Sequence, residues 1–507
     1  MSGKYNVTLS FFRLVLILAG LALLSSSMSF HSDTTLTNYQ QIQSLDYRRW
    51  SQGDSVSLER IVNRASARQD IYWIQQAAQL GYKHALYLLV SLAETDKKRL
   101  MRLVMAADAG VAQAQYELSL MPSYQGQRDK LLQASAEQGF PAAQHTVANR
   151  LLNEQNEIEA IKWLEKSAAH FPQDAFSLAN IYWQQKNVKQ AVYWYQIAAD
   201  NNHQNAQHFV NVIATHKAIS VSQANRRKDL FAMHKGYQSG HCAKRILPIA
   251  LSLANQVQAQ HITETYDSDP RFTDNPMCLA NPLWLDSSES FCEQQILAGR
   301  QRIVCDVTQL EMLVRNNNVT HIILLLPEGR AYVNAGLMYL NASASYSLFV
   351  HELAHFAGFA DEYPIHAELA KIHCEAQTAP NLLFDGEHNY APDSRLKNWQ
   401  TLLDNRDNTK QVTLHAARTC INTGINAYKM TEERTFMEFH DTDNIPLEYQ
   451  SLWRQQVINR AHWYPVAINL SRHYESQNAA VQSQYWREYA EQQRYLSSVT
   501  SNHVFAP

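Results

Sequence analysis

Thirteen residues from His351 to Tyr363, HELAHFAGFADEY, hold the densest set of residue types that could do chemistry in this chain. If the first part is helical, His351 and His355 lie four residues apart on one face, so both imidazoles can reach a single metal ion. Glu352 follows the first histidine and could act as a general base on a water molecule beside that ion.

The next residues can supply a third ligand. Gly358 can adopt the left-handed backbone that ends a helix, and the chain can then fold back to present Asp361. Three protein ligands with a fourth position left to water are typical of catalytic zinc sites, whereas structural sites have four protein ligands. The sequence therefore predicts one catalytic Zn²⁺ ion at His351, His355 and Asp361, with Glu352 as the catalytic base.

The setting of the motif is apolar, as expected for a helix that faces a core. Such a helix should not turn two histidines and a glutamate inward without a metal or other partners. The apolar residues are Leu348, Phe349, Val350, Leu353 and Phe356.

The pattern HExxHxxGxxDEY resembles the motif of the bacterial IgA-peptidase family of zinc metallopeptidases, which are metzincin-like. The resemblance covers residues 260–455 at most. It implies a metzincin-like domain that hydrolyses peptide bonds, with the ligands and base named above, and it does not imply IgA as the substrate. In a gluzincin, the rival class, Glu368 or Glu375 could be the third ligand, but the helix would not need to end at Gly358.

Three segments before the motif are typical of strands: residues 302–307 and 321–326, which should be buried, and residues 331–340. In metzincins an edge strand just before the helix lines the cleft and pairs with extended substrate. The third segment is the candidate, and an ordinary sheet strand is the alternative.

The segment from Tyr428 to Glu438 is similar to the one that leads into a metzincin Met-turn, where a methionine lies beneath the metal histidines. Met437 is the expected Met-turn residue and Met430 is its competitor. The group that stabilises the oxyanion is not assigned, and Tyr363 and Tyr428 are the candidates.

Length and composition point to a globular protein of two or three domains. The chain has 507 residues, of which 46% are hydrophobic and 18% are charged. The net charge of -3 gives no electrostatic reason to expect binding to nucleic acid.

The N-terminus has the pattern of an export signal. Lys4 and Arg13 precede the apolar run from Leu14 to Leu24, which is short for a membrane span and is followed by small residues. We expect residues 1–30 to be a signal peptide or an N-terminal membrane anchor, and the protein to be periplasmic or secreted.

The number and placement of the cysteines are those expected of an exported protein. All six lie between residues 242 and 420, and no C-x-x-C pair occurs, so disulfides that brace this region are expected in an oxidising compartment. The sequence does not choose among the 15 possible pairings.

Residues 40–257 are helix-compatible and contain an alanine-rich repeat. Its alanines step by 29, 29, 32 and 31 residues, the scale of a helix-turn-helix unit. They are Ala85, Ala114, Ala143, Ala175 and Ala206. The repeats resemble Sel-one-like repeats, relatives of the tetratricopeptide repeat, which form an α-solenoid. This resemblance implies a protein partner on the concave face, and simple support of the next domain is the alternative. A weaker sixth unit is expected near residues 240–243.

The C-terminus matches one of these repeats at a constant offset of 292 residues. The matching positions are Ala467, Leu470, Tyr474, Tyr485, Trp486 and Ala490. We expect a helical hairpin within residues 456–507 that docks on the catalytic domain or on the end of the solenoid, because an isolated hairpin cannot bury its apolar face.

The sequence as a whole predicts a multidomain protein: an N-terminal α-solenoid, an α/β metzincin-like zinc peptidase domain over residues 258–455, and a C-terminal helical hairpin. The predicted function is an exported zinc metallopeptidase that acts on peptides or proteins. The alternative is a periplasmic interaction scaffold whose peptidase-like domain is a non-catalytic binding module.

Overall fold

A computed structural model describes residues 38–232, 241–286, 292–297, 300–376, 378–385, 392–404 and 411–499. The predicted export segment, residues 1–30, lies outside the described residues. Among the described residues, none of the helices combines the length and apolar character needed to cross a membrane. The chain divides into two compact units, the first ending at Gln207 and the second beginning at His208.

The first unit is helical throughout its described part. Its helices are α1 (residues 38–51), α2 (Val56–Ala67), α3 (Ile71–Gln79), α4 (Lys83–Ser91), α5 (Asp96–Asp108), α6 (Ala112–Ser119), α7 (Arg128–Glu137), α8 (Pro141–Asn153), α9 (Glu157–Ser167), α10 (Pro172–Gln184) and α11 (Val188–Asp200), and the start of α12 (Ala206–Thr215). Successive helices pack against one another, as the repeat pattern predicts. All five periodic alanines are fully buried. The positions need a small residue, because a larger side chain would separate the paired helices.

The second unit is built on a mixed β-sheet. Its strands are β1 (Lys244–Ala250), β2 (Met277–Leu279), β3 (Leu283–Trp284), β6 (His321–Leu326), β7 (Tyr332–Asn334) and β8 (Leu337–Asn341). The order is β2-β1-β6-β8-β7, with β3 also paired to β1. All pairs are parallel except β7 with β8, which is antiparallel and places β7 at the end of the sheet.

Both faces of this sheet are covered by helices, and side chains alternate between the two faces along each strand. Ile323, Leu325, Met338 and Leu340 point into a core shared with α14 (Leu253–Ser268), α16 (Tyr346–His355) and α19 (Leu447–Asn459). Ile322, Leu324, Leu337 and Tyr339 point into a second core on the other face. That core also contains residues of α13 (Val221–Asn225), α15 (Glu311–Asn317), α20 (Val466–Ser476) and α21 (Ala480–Val499).

The remaining described elements are short or lie outside the main sheet. They are the β4 (Cys292–Leu297) and β5 (Arg300–Cys305) hairpin, a three-stranded sheet of β9 (Leu383–Asp385), β10 (His415–Ala417) and β11 (Asn426–Lys429), α17 (Ala367–Ala376) and α18 (Pro392–Asp404).

The repeat region ends earlier than the helix-compatible composition suggests. The strand β1 lies inside the range 40–257, and the boundary between the two units falls at residue 207 rather than 257. All seven residues of β1 are buried, because it is a central parallel strand covered on both faces. No sixth repeat runs through the described residues 241–243, which lead directly into this strand.

Of the three predicted strands, residues 321–326 form the fully buried strand β6, as expected. The other two segments differ from the prediction. Residues 300–305 belong to the partly exposed β4–β5 hairpin, and residues 331–340 divide into β7 and β8. The turn between β7 and β8 contains Ala335 at φ +52 and Gly336. A Cβ on Gly336 would lie 2.0 Å from the backbone nitrogen of Val466, so only glycine allows the C-terminal hairpin to pack here.

The C-terminal hairpin forms and packs against the main sheet inside the second unit. Val466, Ala467 and Leu470 of α20 and Trp486 and Ala490 of α21 are buried in the core behind the sheet. The predicted boundary at residue 456 falls inside α19 rather than between elements.

All six cysteines form disulfides, and all three disulfides lie in the second unit, as predicted. The pairs are Cys242–Cys278, Cys292–Cys305 and Cys374–Cys420.

Candidate metal centre

The helix α16, called the metal helix below, carries the HExxH residues. Ser345 caps its first turn by accepting a hydrogen bond from the backbone nitrogen of Leu348 at 3.1 Å. Phe349, Val350 and Leu353 bury one face in the core beneath the sheet. This packing fixes the rotation of the helix, so that His351 and His355 project from one side.

The metal helix ends as the sequence predicts, in a Schellman motif. The backbone nitrogen of Gly358 donates to the carbonyl of His355 at 2.9 Å, and that of Phe359 donates to Ala354 at 3.3 Å. Gly358 has φ +87, and a Cβ here would lie 2.2 Å from Cγ of His462. Glycine is therefore required both by the backbone conformation and by the packed imidazole of His462.

The fold-back after Gly358 brings Asp361 against both histidines. Its Oδ1 atom lies 3.1 Å from Nε2 of His351 and 3.4 Å from Nε2 of His355. Possible ligand atoms of the three residues all lie within 4.8 Å of one another. No other group of three or more His, Cys, Asp or Glu with this geometry occurs in the described part of the chain.

Both imidazoles are oriented by backbone carbonyls. Nδ1 of His351 lies 2.9 Å from the carbonyl oxygen of Phe436, and Nδ1 of His355 lies 2.8 Å from that of Phe359. A carbonyl oxygen can only accept a hydrogen bond, so Nδ1 carries the proton in each ring and donates it. In the neutral imidazole Nε2 is then a bare lone pair, which is the arrangement found in metal-ligating histidines.

These donors fit a zinc ion. Tetrahedral zinc with ligand bonds of about 2.1 Å places its ligand atoms about 3.4 Å apart, close to the two separations measured here. Oδ1 of Asp361 is buried and makes no hydrogen bond with acceptable geometry. A carboxylate oxygen and two imidazole lone pairs that converge in a buried place need a cation between them.

The electrostatics of the centre also favour a cation. Burial lowers the pKa of His355, but the nearby carboxylates of Asp361 and Glu352 and the hydrogen bond to the carbonyl of Phe359 together outweigh burial and raise that pKa to about 9. Burial raises the pKa of Asp361, yet the charges of His355 and His351 hold it well below the usual range of an aspartate. Both directions show that the carboxylates at this centre favour a positive charge beside them.

Glu352 lies on the same side of the metal helix. It is buried, with Oε2 at 4.0 Å from Nε2 of His355. Burial raises the pKa of Glu352 above the ordinary glutamate value, while the charges of His355 and His351 act in the opposite direction. A carboxylate with a raised pKa is a better proton acceptor at neutral pH.

The side chain of the next residue after Asp361 points into the protein. Glu362 is 1% exposed, and its carboxylate accepts hydrogen bonds from Thr435 at 2.5 Å, from Tyr449 at 2.7 Å and from Asn381 at 3.0 Å. Lys429 lies 3.7 Å away. Burial raises the pKa of Glu362, while these hydrogen bonds and the charge of Lys429 act to lower it.

Backbone contacts hold the same turn on both sides. The backbone nitrogen of Glu362 donates to the carbonyl of Met437 at 2.9 Å, and the hydroxyl of Thr419 donates to the carbonyl of Asp361 at 2.5 Å. Asn381 accepts from the backbone nitrogen of Ala360 and donates to its carbonyl, both at 2.9 Å. The Asp361 carboxylate is therefore placed by a turn that backbone hydrogen bonds hold on both sides.

Met437 lies in the segment that supports the metal helix. It is fully buried in the same core as Phe349 and Leu353, and its neighbour Phe436 binds His351 through the backbone carbonyl. Met430 is also buried in this core, but the hydrogen bonds that join this segment to the histidine and to the aspartate turn are made by residues 435–437.

Two aromatic side chains flank the ring of His351. The centroid of Tyr363 lies 6.3 Å from it, and that of His440 lies 6.2 Å away. Nδ1 of His440 is 2.8 Å from Oδ1 of Asp441. The second tyrosine considered from the sequence, Tyr428, donates its hydroxyl to Asp385 at 2.8 Å.

The structure therefore brings His351, Glu352, His355 and Asp361 together and places Met437 beside them. Glu375, a possible ligand in the gluzincin alternative, is exposed and is not part of the group; the side chain of Glu368 lies outside the described residues. Sequence reasoning missed Glu362, Thr435, Tyr449 and Asn381, which position the turn. Only the DEY part of the motif, residues 361–363, pointed to Glu362, and it assigned no role to this residue.

Comparison of the sequence with models of known protein families and with curated proteins found no match. The chemistry of this centre must therefore be inferred from its own geometry.

Proposed function

We propose that this protein is a zinc-dependent metallopeptidase of metzincin-like type, as the HExxHxxGxxDEY pattern suggests. One observation supports this above the others: Oδ1 of Asp361, buried without a hydrogen bond, faces the Nε2 atoms of two histidines whose Nδ1 atoms are already bonded. Glu352, a buried carboxylate beside these three groups, supplies a base that a purely structural zinc site does not need.

His351, His355 and Asp361 would hold the ion, which when bound supplies Lewis acidity to a water molecule and to the scissile carbonyl. Glu352 takes the proton from the attacking water and passes it to the leaving amine. Tyr363 and His440, whose rings both lie near that of His351, are the candidates for stabilising negative charge on the carbonyl oxygen.

The substrate would bind beside β7 as an extended peptide. Among the described strands β7 pairs only with β8; it lies at the end of the sheet and packs against the metal helix. An edge strand can add a peptide strand through backbone hydrogen bonds. A peptide bound there would run next to Glu352.

The setting of the activity would be an oxidising compartment outside the cytoplasm. Three disulfides in the second unit and the signal-like N-terminal sequence both support export. The helical unit would serve as a scaffold for a protein partner.

The test is metal analysis and peptide cleavage with the purified full chain. The wild type should contain one equivalent of zinc, lose activity on chelation and regain it on zinc addition. Glu352→Gln should keep the zinc and lose activity by a factor of 10² or more, because only the proton acceptor is removed. Exposed Glu432→Gln is the matched control and should be unaffected.

Equal activity of wild type and Glu352→Gln would overturn the catalytic proposal. Zinc binding without turnover of any peptide would favour a non-catalytic binding module. Failure to bind zinc in the correctly folded wild type would remove the metal centre itself.

A further inference from the structure

The β4–β5 hairpin is fastened to the strand that borders the metal helix. The hydroxyl of Tyr332 in β7 donates to the carbonyl of Ile303 in β5 at 2.7 Å, and its ring stacks on Tyr339 of β8 with centroids 4.4 Å apart. The disulfide Cys292–Cys305 closes the base of the hairpin. The hairpin thus has a fixed position at the end of the sheet.

Arg302 of this hairpin is held at the same edge. Its guanidinium lies over the ring of Tyr332, 4.5 Å from the centroid, and Nη1 donates to the carbonyl of Ala331 at 3.4 Å. The side chain is partly exposed, and no carboxylate of the described residues lies at ion-pair distance from it. Within the described part of the chain, one of its five N–H groups makes a hydrogen bond.

The ring beneath the guanidinium belongs to β7, and this strand packs against the metal helix. A bound zinc ion would balance the negative charges of Glu352 and Asp361, so these two groups would not by themselves exclude an acidic peptide. A preorganised arginine at the edge where the peptide would run, with no carboxylate of the described residues at ion-pair distance, can bind a carboxylate through two parallel hydrogen bonds.

We propose that Arg302 is a specificity residue that binds a carboxylate of the peptide substrate. The carboxylate belongs to an Asp or Glu side chain near the scissile bond or to the C-terminus of a short peptide. This inference rests on the proposed function and names its substrate class, which is acidic peptides.

The experiment uses the full chain and a set of quenched fluorescent peptides. Each peptide with Glu or Asp near the cleavage site is paired with its Gln or Asn counterpart, and each free C-terminus is paired with its amide. We expect the wild type to have a higher kcat/KM for the charged member of one kind of pair, with the carboxylate either on a side chain or at the C-terminus. Arg302→Gln should reduce that preference by about 10- to 100-fold, whereas Arg302→Lys should retain part of it. Exposed Arg330→Gln, just before β7, is the matched control.

A second measurement does not depend on turnover. In the Glu352→Gln background, the Kd of the preferred peptide should rise on Arg302→Gln, and the Kd of its uncharged counterpart should not.

The outcomes separate the two proposals. Peptide cleavage with the same acidic-to-neutral ratio in wild type and Arg302→Gln would overturn the role of Arg302 and leave the peptidase intact. No cleavage of any peptide by the zinc-loaded wild type would count against the proposed function. Loss of both acidic and neutral substrates in Arg302→Gln would show that Arg302 only supports the hairpin, which also contradicts the inference.

Discussion

The hydroxyl of Tyr449 donates a 2.7 Å hydrogen bond to the carboxylate of Glu362, which lies 87 residues earlier in the chain. Thr435 donates to the same carboxylate. Asp361 is the residue before Glu362. The hydrogen bonds that hold the inward-facing side chain of Glu362 therefore also orient the side chain of Asp361 toward the histidines. The position of the third ligand is therefore set by residues of two later segments of the chain.

Glu362→Gln should lower the zinc affinity by about 10- to 100-fold, because partners of metal-ligating residues typically have effects of this size. Glutamine keeps the shape but replaces one carboxylate oxygen by an NH₂ group, which would face either Asn381 and Tyr449 or Thr435, and it removes the charge facing Lys429. Competition with a chromophoric chelator measures the affinity.

Glu432→Gln serves as the control for the loss of one negative charge, and far-UV circular dichroism checks the fold. Unchanged zinc affinity in folded Glu362→Gln would show that the turn is held adequately without this carboxylate.

Gly358→Ala should destabilise the second unit by more than Gly139→Ala destabilises the first. Both glycines have nearly the same backbone conformation, φ +87 and +86, so both substitutions carry the left-handed penalty of about 1–2 kcal/mol. Only at Gly358 does the new Cβ meet a neighbour, the ring of His462 at 2.2 Å. Overpacking should add roughly 1–3 kcal/mol to the loss.

Denaturant unfolding, followed with a probe in each unit, gives the two free energies. Equal losses would mean that His462 moves aside at no cost.

Removal of the disulfide Cys374–Cys420 by a double alanine substitution should weaken zinc binding as well as stability. Cys420 follows Thr419, whose hydroxyl holds the carbonyl of Asp361. With a sequence separation of 46 residues between the cysteines, the loss of chain constraint should be about 4 kcal/mol.

The matched control is Cys292–Cys305, which closes a span of 13 residues and should cost about 3 kcal/mol while zinc affinity stays the same. Chelator competition and denaturant unfolding distinguish the two effects. A similar fall of zinc affinity in both variants would argue against a specific link through Thr419.

Lys244 should make the stability of the second unit depend on pH. It is fully buried, with Nζ 3.4 Å from both Nε2 of His321 and the carbonyl of His462, and its surroundings include Arg245 and Arg460. Burial, with the charge of Arg460, lowers the pKa of Lys244 to about 7. Above this pH the unfolded chain binds the additional proton, so the free energy of unfolding should rise between about pH 7 and 10, at about 1.4 kcal/mol per pH unit for this residue.

Lys244→Met should remove this rise and increase the free energy of unfolding below pH 7, where the wild type must bury a charged amine. Exposed Lys397→Met is the control. Urea unfolding of the second unit from pH 6 to 10 measures the effect, and an unchanged slope in Lys244→Met would show that another group titrates.

The sequence was most informative where the signal is local. The spacing of His351, His355 and Gly358 describes one helix and its end, and the structure has the helix ending as predicted. The periodic alanines likewise reflect packing between neighbouring helices. The sequence failed at β1, whose helix-compatible composition gave no sign of a central strand, because its burial depends on strands β2 and β6, from later in the chain.

By itself the sequence determined that two imidazoles, a carboxylate base and a possible third ligand occur within a few residues, since one helix and one turn suffice to place them. Only the tertiary structure decided that Oδ1 of Asp361 faces both histidines, that Glu362 faces the opposite way, and that Arg302 lies beside the edge strand. Those arrangements depend on partners 19, 73 and 87 residues from Glu362 and on the hairpin's attachment to β7. No local pattern records such contacts, because they arise only when the sheet and its helices pack.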